Sequence, residues 1–266
     1  MKVKMNRIGF VGFAVLIMSS TAGAQTPSPA QSAVLPSVGE ATSTATAPIS
    51  VLGPHARTFT SNGPVYKGDV IKSAPAQTVK VKFTDKSEIW IAPQTSFAIQ
   101  EFYVTPAKRD ALFHVESGSV RALVEKRKSD QMNFIIHTKS ATMGVRGTEF
   151  LVETDQNQKT SLYTLDGSVA IAKGVKELND AKSTRVVNKG KYSFCTPKQS
   201  IPSASKKIDY KELMAKLQKI SPEIASDVKD KLETRVKAAK AAASKNNKKS
   251  SDEDKPKRKP KARVKK

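Results

Sequence analysis

The sequence predicts a mainly β fold: a compact β-sandwich, jelly roll or β-roll of short strands, followed by a short α-helical segment and a disordered basic tail. Three observations predict this fold. Apolar and polar residues alternate in short runs, turn residues separate these runs at intervals typical of all-β domains, and no convincing amphipathic helix occurs between Val51 and Thr196. With 38% hydrophobic residues, the 266-residue chain can bury one core but not all of itself.

The first 24 residues have the pattern of a signal peptide. Three basic residues within the first seven positions precede an apolar run over 8–18, and Ala22-Gly23-Ala24 favours cleavage after Ala24. The apolar run is shorter than the roughly 20 residues that span a bilayer, which disfavours the alternative of an uncleaved anchor. We therefore expect a periplasmic, secreted or cell-surface protein with no transmembrane segment after cleavage.

Residues 25–50 have the composition of a flexible segment. They are rich in proline, serine, threonine and alanine and contain almost no large apolar side chains. Burial therefore cannot offset the entropy of ordering them. We predict a disordered spacer over 25–50 and a folded β domain over 51–196.

Short turns of similar chemistry separate the strands of the predicted β domain. Most combine polar residues with a glycine that can adopt positive φ. Alternation on both sides of Asp85-Lys86-Ser87 indicates a hairpin there. We interpret the other turns as the same kind of connection: Ser117-Gly118-Ser119, Asp166-Gly167-Ser168, Lys67-Gly68-Asp69 and Asn188-Lys189-Gly190.

Arg146 lies between Gly144 and Gly147 and is the first candidate for a binding residue. Small neighbours would let a carboxylate or phosphate approach the guanidinium and the nearby backbone amides. The alternative is structural: Arg146 bonds backbone carbonyls or pairs with a carboxylate such as Glu149 or Glu153, while the glycines let the strand bend. The structural role is the commoner one for an arginine beside strand glycines.

Few residues suit catalysis. The three histidines, His55, His114 and His137, are far apart in sequence, and the single cysteine, Cys195, lacks a glycine-rich nucleophile context. Metal-ligand spacing, phosphate-binding glycine loops and paired carboxylates are absent from the sequence. We therefore predict no enzyme activity, no metal and no cofactor. The alternative is a wall-modifying enzyme that uses Cys195 or a histidine.

A helical segment is predicted over 206–243. Apolar residues recur at helical spacing from Tyr210 to Ile220, and Ser221-Pro222-Glu223 offers an N-cap, a first-turn proline and a first-turn acid for a second helix. The two helices carry a narrow apolar stripe. This stripe could contact the β domain or a partner, and the sequence leaves both alternatives open.

Residues 244–266 are basic and have no apolar face, so we predict disorder. From 206 to 266 the chain holds 21 basic and 9 acidic side chains, about half of the formal charge of +22. Such a tail either solubilises the protein or binds an anionic polymer of the envelope, namely peptidoglycan, lipopolysaccharide or anionic lipid. Nucleic acid is disfavoured because no aromatic side chain lies among the terminal lysines. The predicted binding residues of the tail are Lys257, Arg258, Lys259, Lys261 and Arg263.

Several turns follow one another in the order seen in a known family. The stretches that resemble FecR-domain proteins are 65–71, the hairpin at 85–87, 115–120, Val145-Arg146-Gly147-Thr148-Glu149-Phe150 and 166–169. The Val-Arg-Gly-Thr element is the most specific of them. The resemblance implies a periplasmic or cell-surface β domain, found in regulators of iron-transport signalling and in exported proteins joined to wall-binding modules. It also marks structural signature positions: Gly68, Asp69, Gly118, Gly144, Gly147, Thr148 and Gly167.

The sequence departs from the family pattern in three respects. Lys86 stands where the family usually has glycine, which would cost about 1 kcal/mol if positive φ is kept there. Lys139 stands where the family often has proline. FecR regulators carry a cytoplasmic anti-sigma segment and a transmembrane helix before the domain, whereas only a few residues precede the apolar run here. We therefore expect no contact with a sigma factor by that route.

These observations predict an exported, non-enzymatic binding or scaffold protein of the bacterial cell envelope, whose cationic tail contacts anionic envelope polymers. The alternative is a periplasmic sensor or regulator that binds another envelope protein, and it rests on the family resemblance alone.

Overall fold

The computed structural model of the chain describes residues 36–127 and 133–234. The predicted signal peptide over 1–24 and the basic tail over 244–266 lie outside these residues. The described part is mostly β, with 46% strand and 14% helix, which confirms the predicted fold class. Its strands are β1 (Gly39–Ser43), β2 (Ile49–Leu52), β3 (Arg57–Phe59), β4 (Asn62–Val65), β5 (Val70–Lys72), β6 (Val79–Phe83), β7 (Glu88–Ile91), β8 (Ser96–Val104), β9 (Arg109–Leu123), β10 (Phe134–His137), β11 (Thr142–Val145), β12 (Glu149–Thr154), β13 (Thr160–Asp166), β14 (Ser168–Ala172), β15 (Arg185–Asn188), β16 (Lys191–Cys195) and β17 (Lys206–Lys207).

The strands form two sheets that share β9. Sheet A has the order β4-β1-β6-β7-β9-β12-β13-β16-β17. Sheet B has the order β3-β2-β5-β8-β9-β10-β11-β14-β15. Every pair of neighbours described is antiparallel except β9 and β10, which run parallel.

The main hydrophobic core draws side chains from both sheets. Alternate residues of several strands are buried, as in Val79, Val81 and Phe83 of β6. Phe113 of sheet B is the centre of an aromatic cluster, with its ring centroid 5.1 Å from that of Phe83 and 5.4 Å from that of Phe97. The period-2 burial follows from the alternation of side chains along a strand.

Strand β9 bends at Gly118, where it passes from sheet B to sheet A. Residues up to Ser117 pair with β8 and β10, and later residues pair with β7 and β12. Gly118 has a φ of +91°, and a Cβ there would lie 2.2 Å from Thr95 Oγ1, so no other residue fits without displacement. The prediction of a hairpin at 117–119 is wrong, because the chain changes sheet without reversing direction.

Three other predicted hairpin turns also carry the chain between sheets. Residues 67–69 link β4 to β5, 166–168 link β13 to β14, and 188–190 link β15 to β16, and each pair of strands lies in different sheets. The glycines of these turns have φ values of +89°, +76° and +74°. The turn at 85–87 does join antiparallel neighbours, β6 and β7, so that hairpin is confirmed.

Part of the predicted spacer is ordered. Residues 39–43 form β1, which hydrogen-bonds to β4 on one side and to β6 on the other, and Ala41 is fully buried. The prediction of disorder over 25–50 is therefore wrong for this segment, and 25–35 lies outside the described residues. Backbone pairing on both sides orders β1 although it carries no large apolar side chain.

The C-terminal helices lie on the outer face of sheet A. Helix α1 spans Tyr210–Ile220 with Asp209 as its N-cap, and helix α2 covers 222–234. Ser221 caps α2 as predicted, since its Oγ accepts a 3.2 Å hydrogen bond from the Ile224 amide. The apolar residues of both helices form a second cluster with sheet A: Leu151, Leu165, Leu213, Leu217, Ile224, Ala225 and Val228.

This cluster resolves the alternative that the sequence left open, because the apolar stripe contacts the β domain. Residues 206–207, which were predicted to begin the helical segment, instead form β17. Within 36–127 and 133–234, none of the helices is both long and apolar enough to cross a membrane.

Candidate functional site

Arg146 lies in the connection that takes the chain from β11 in sheet B to β12 in sheet A. The bend occurs at Gly147, which has a φ of +64°, whereas Gly144 lies in the regular ladder of β11. A Cβ at Gly147 would lie 2.5 Å from the Cβ of Lys126. Glycine therefore brings the Arg146 connection into close contact with the segment that follows β9.

The structural role favoured for Arg146 is wrong. The Arg146 side chain is exposed and makes no hydrogen bond or ion pair with any residue in 36–127 or 133–234. The carboxylates suggested as its partners are occupied elsewhere: Glu149 by Arg121, at 2.6 Å, and Glu153 by Lys216. The guanidinium of Arg146 is thus available to a ligand.

The connections at one end of sheet A stand in a row. Glu88, Leu123, Glu149 and Asp166 are successive register partners across β7, β9, β12 and β13. Direct contacts link the adjoining connections. The Glu125 amide donates to Ser87 Oγ at 3.1 Å. The amide of Val124 donates to the carbonyl of Thr148 at 2.9 Å.

The next connection extends the same row. A Cβ at Gly167 would lie 2.6 Å from Thr148 Cγ2 and 3.1 Å from the Gly147 carbonyl oxygen. The amide of Lys189 donates to the carbonyl of Gly167 at 2.9 Å. The turns at 85–87, 124–127, 146–148, 166–168 and 188–190 are therefore neighbours in space.

Each of four turns places one exposed cation on this end of the sheet, and we call Lys86, Lys126, Arg146 and Lys189 the basic ridge. Lys189 pairs with Asp166 at 2.9 Å. The other three have no ion-pair partner within the described ranges. Since neighbouring strands are about 4.8 Å apart, the row from β7 to β16 is about 19 Å long.

The acidic residue next to Lys86 does not neutralise the ridge. Asp85 is buried and accepts a 2.8 Å bond from the Arg109 guanidinium. Ser87 closes the same network, since its amide and hydroxyl each donate to the Asp85 carboxylate at 2.9 Å. Among the described residues of the row, the carboxylates of Glu125 and Asp166 are open to solvent, and Asp166 pairs with Lys189.

The other signature positions have structural roles. Asp69 is fully buried, pairs with Arg57 at 2.7 Å and accepts a 2.7 Å bond from the amide of Tyr66. The positive φ values of Gly68, Gly118 and Gly167 mark sheet-to-sheet connections. The tail residues predicted to bind, from Lys257 to Arg263, lie outside the described residues.

A cleft of about 390 Å³ lies between α1 and the outer face of sheet A. Neighbouring side chains largely cover its aromatic rings. The rings of Tyr163 and Tyr192 stack with their centroids 5.6 Å apart, and the Lys159 Nζ atom lies 4.6 Å from the ring centre of Phe194. Burial raises the pKa of Tyr163. Four carboxylates and three lysines line the cleft, so it has no dominant charge.

Sequence reasoning missed three features of the described structure. Lys86 and Lys126 gave no signal as binding residues, because only the pairing of the strands brings their turns beside Arg146. Arg121 gave none either, although it is the largest fully buried side chain. His114 and His137 gave no signal as a pair because they are far apart in sequence, but their Nδ1 atoms lie 3.2 Å apart.

Cys195 has the environment of a structural thiol. It is fully buried in β16, burial raises its pKa, and its sulfur contacts the carbonyl of Thr196 at 3.7 Å. A raised pKa keeps the thiol protonated at neutral pH, and the thiolate is the nucleophilic form. No group of three or more potential metal ligands occurs among the described His, Cys, Asp and Glu residues.

Comparisons with known proteins agree with the signature turns. The FecR protein family model matches residues 69–170. Two crystal structures of a candidate anti-sigma factor from Parabacteroides distasonis resemble 56% of this chain, at 18% and 17% identity and a TM-score of 0.44. This chain spans 64% of the length of those structures, and no curated protein matches it. The matched residues, 69–170, contain the Arg146 connection and three of the four cations of the basic ridge, so this part of the chain is similar to the FecR protein family.

Proposed function

We propose that this chain is an exported, non-enzymatic binding protein of the bacterial cell envelope, and that its β domain contacts an anionic envelope polymer through the basic ridge. The observation that carries this proposal is that Lys86, Lys126 and Arg146 are exposed, adjacent and without ion-pair partners in the described part of the chain. The basic residues of 244–266 add further positive charge.

The ridge suits an extended polyanion better than a small compact anion. Its cations stand at strand intervals along about 19 Å, so a polymer with repeated phosphate or carboxylate groups could meet several of them at once. The Arg146 guanidinium can bind one such group in a bidentate manner, and the lysine ammonium groups can adjust along their flexible stems.

A cosedimentation experiment tests this proposal. The full-length mature protein should sediment with purified cell walls or outer-membrane vesicles at low salt and be released at high salt. The triple variant Lys86→Gln, Lys126→Gln, Arg146→Gln should bind roughly 100-fold more weakly, because each of the three cations near an anionic surface contributes about 1 kcal/mol.

The control variant makes the same change of charge away from the ridge. Lys211, Lys219 and Lys229 are exposed on the helices and have no ion-pair partner within the described residues, so their replacement by glutamine should leave binding nearly unchanged. A chain that ends at 243 separates the tail from the ridge while keeping the docked helices. Equal loss in the ridge and helix variants would show that only net charge matters, and the ridge proposal would fail.

A second candidate function is a regulator that binds another envelope protein, and the FecR match favours it. Strand β15 is an edge of sheet B, and its Val186 is 58% exposed. An exposed edge strand can accept a strand from a partner. A photo-crosslinker at 186 should then capture one defined protein at high salt, whereas one at Tyr103, also exposed on sheet B, should not. Equal capture from both positions would argue against this candidate.

A further inference from the structure

His114 and His137 form a pair on the outer face of sheet B. They are directly opposite each other in the register of β9 and β10. These two strands are parallel, and side chains at one register position of parallel neighbours lie side by side. The residues that flank each histidine along its strand point into the core, as Phe113 and Val115 do, so both imidazoles lie on the solvent side of the sheet.

The two rings present the same nitrogen atom to each other. The Nδ1 atoms are 3.2 Å apart, the ring centroids are 4.4 Å apart, and the ring planes are inclined by 41°. Both side chains are half-buried, which limits the rotamers they can adopt. The sheet register therefore fixes the relative position of the two histidine backbones.

Gln100 determines which nitrogen of His137 carries the proton. The Gln100 Oε1 atom lies 2.6 Å from His137 Nε2, and an amide oxygen only accepts hydrogen bonds. His137 therefore carries its hydrogen on Nε2 and presents the lone pair of Nδ1 towards His114. In the absence of a ligand, the Nδ1–H tautomer of His114 places a donor 3.2 Å from that lone pair.

We propose that His114 and His137 bind one divalent transition-metal ion, with Zn²⁺ as the reference ion, through their two Nδ1 atoms. A tetrahedral zinc ion with Zn–N bonds of about 2.0–2.1 Å places two nitrogen ligands about 3.3 Å apart, close to the separation seen here. The ion replaces the shared hydrogen. The proton on His114 Nδ1 passes to Nε2 of the same ring, and Gln100 remains the outer hydrogen-bond acceptor that orients His137.

The proposed site has two protein ligands and open positions. No third His, Cys, Asp or Glu of the described chain completes a metal cluster, so water or an external ligand fills the remaining positions. Glu116 follows His114 on the same face of β9 and is exposed, and its ion-pair partner among the described residues is Lys139, at 3.7 Å. The negative charge of Glu116 favours a cation at this face, and the positive charge of Lys139 opposes it. The site does not depend on the basic ridge, which lies at the end of sheet A.

Two experiments on the metal-free, untagged full chain test this proposal. Calorimetric titration with ZnCl₂ should show one site, and His114→Gln or His137→Gln should weaken it at least about tenfold, because each removes one of two protein ligands. Gln100→Ala should weaken binding by about tenfold. The matched control is His55→Gln. His55 is the third histidine and contacts Tyr66 edge-on, with the ring centroids 5.5 Å apart, and its loss should leave zinc affinity unchanged.

An NMR measurement on the unmodified sequence tests the proposal even if the variants fail to fold. In a ¹⁵N-resolved imidazole spectrum, zinc should shift Nδ1 of His114 and His137 and leave His55 unchanged. No zinc binding, binding that survives both substitutions, or a shift of all three histidines would overturn the proposal. Such a result would leave the envelope-binding proposal untouched, because that proposal is tested by sedimentation without zinc.

Discussion

Arg121, in the middle of sheet A, forms a 2.7 Å ion pair with Asp227 of helix α2. The same guanidinium donates to Glu149 Oε1 at 3.0 and 2.6 Å. Burial alone would raise the pKa of Asp227, but the charges of Arg121 and Lys231 hold the pKa below its usual value. A buried arginine therefore links the signature stretch around Glu149 to the C-terminal helix.

Replacing Asp227 by asparagine should lower the free energy of unfolding by about 1–2 kcal/mol. This estimate lies between the values for exposed and for buried ion pairs, since the Asp227 side chain is 30% exposed. Urea unfolding measures the change. Asp230→Asn is the control, because Asp230 is exposed on the same helix without an ion pair in the described ranges. Equal effects of both changes would contradict a specific role for the Arg121 contact.

Lys86 keeps the positive φ at which the family usually has glycine. Its φ is +72°, so Lys86→Gly should stabilise the protein by about 1 kcal/mol. Lys82→Gly, in strand β6, should instead destabilise by about 0.5–1 kcal/mol. Thermal unfolding of both variants distinguishes these signs, and loss of stability in both would mean that the turn relies on lysine contacts.

Gly147→Ala should lower the free energy of unfolding by about 2–4 kcal/mol, because a Cβ adds backbone strain at a φ of +64° and a 2.5 Å clash with the Lys126 Cβ. Gly174→Ala is a matched control. Its Cβ would meet only the flexible carboxylate end of Glu177, at 2.7 Å, so we expect little change. Guanidinium unfolding gives both values, and a tolerated Gly147→Ala would show that the connection can move away from Lys126.

Stability should fall between pH 6.5 and about pH 4. Burial, followed by the charge of His114, lowers the pKa of His137 to about 4, and burial also lowers the pKa of His114. Glu116 opposes the shift in His114 and Lys139 adds to it. In the unfolded chain these histidines bind protons near pH 6.5, whereas in the folded chain they bind protons only at lower pH. The free energy of unfolding therefore decreases as pH falls.

Urea unfolding at several pH values in the presence of a chelator measures this dependence. His137→Gln should flatten the curve between pH 6.5 and 4, whereas His55→Gln should leave its slope unchanged. An unchanged slope in His137→Gln would show that other groups cause the loss of stability.

The sequence was sufficient for the fold class, the helix pair and its Ser221 cap, because alternation, helical spacing and capping are local signals. It was insufficient for the connections at 117–119 and 166–168. A glycine at positive φ serves a hairpin and a sheet-to-sheet connection equally well, and the difference depends on which distant strands pair. The same limit concealed the ridge, since Lys86, Lys126 and Arg146 become neighbours only through the order of β7, β9 and β12.

Strand β1 shows a different limit. Composition indicated disorder over 39–43, because hydrophobic content measures burial of side chains and not backbone pairing. The order of β1 comes from its two hydrogen-bonded neighbours, β4 and β6. Similarly, the favoured role of Arg146 failed because Arg121, 25 positions earlier in the chain, occupies Glu149.

Strand β9 couples the unfolding of the two sheets, because it belongs to both. It has four strand partners, two in each sheet. Unfolding of either sheet therefore breaks hydrogen bonds of the strand on which the other sheet also depends. We therefore expect a single cooperative unfolding transition, with the amide protons of β9 the slowest to exchange. A ligand held at one end of sheet A would then slow the opening of the whole β domain.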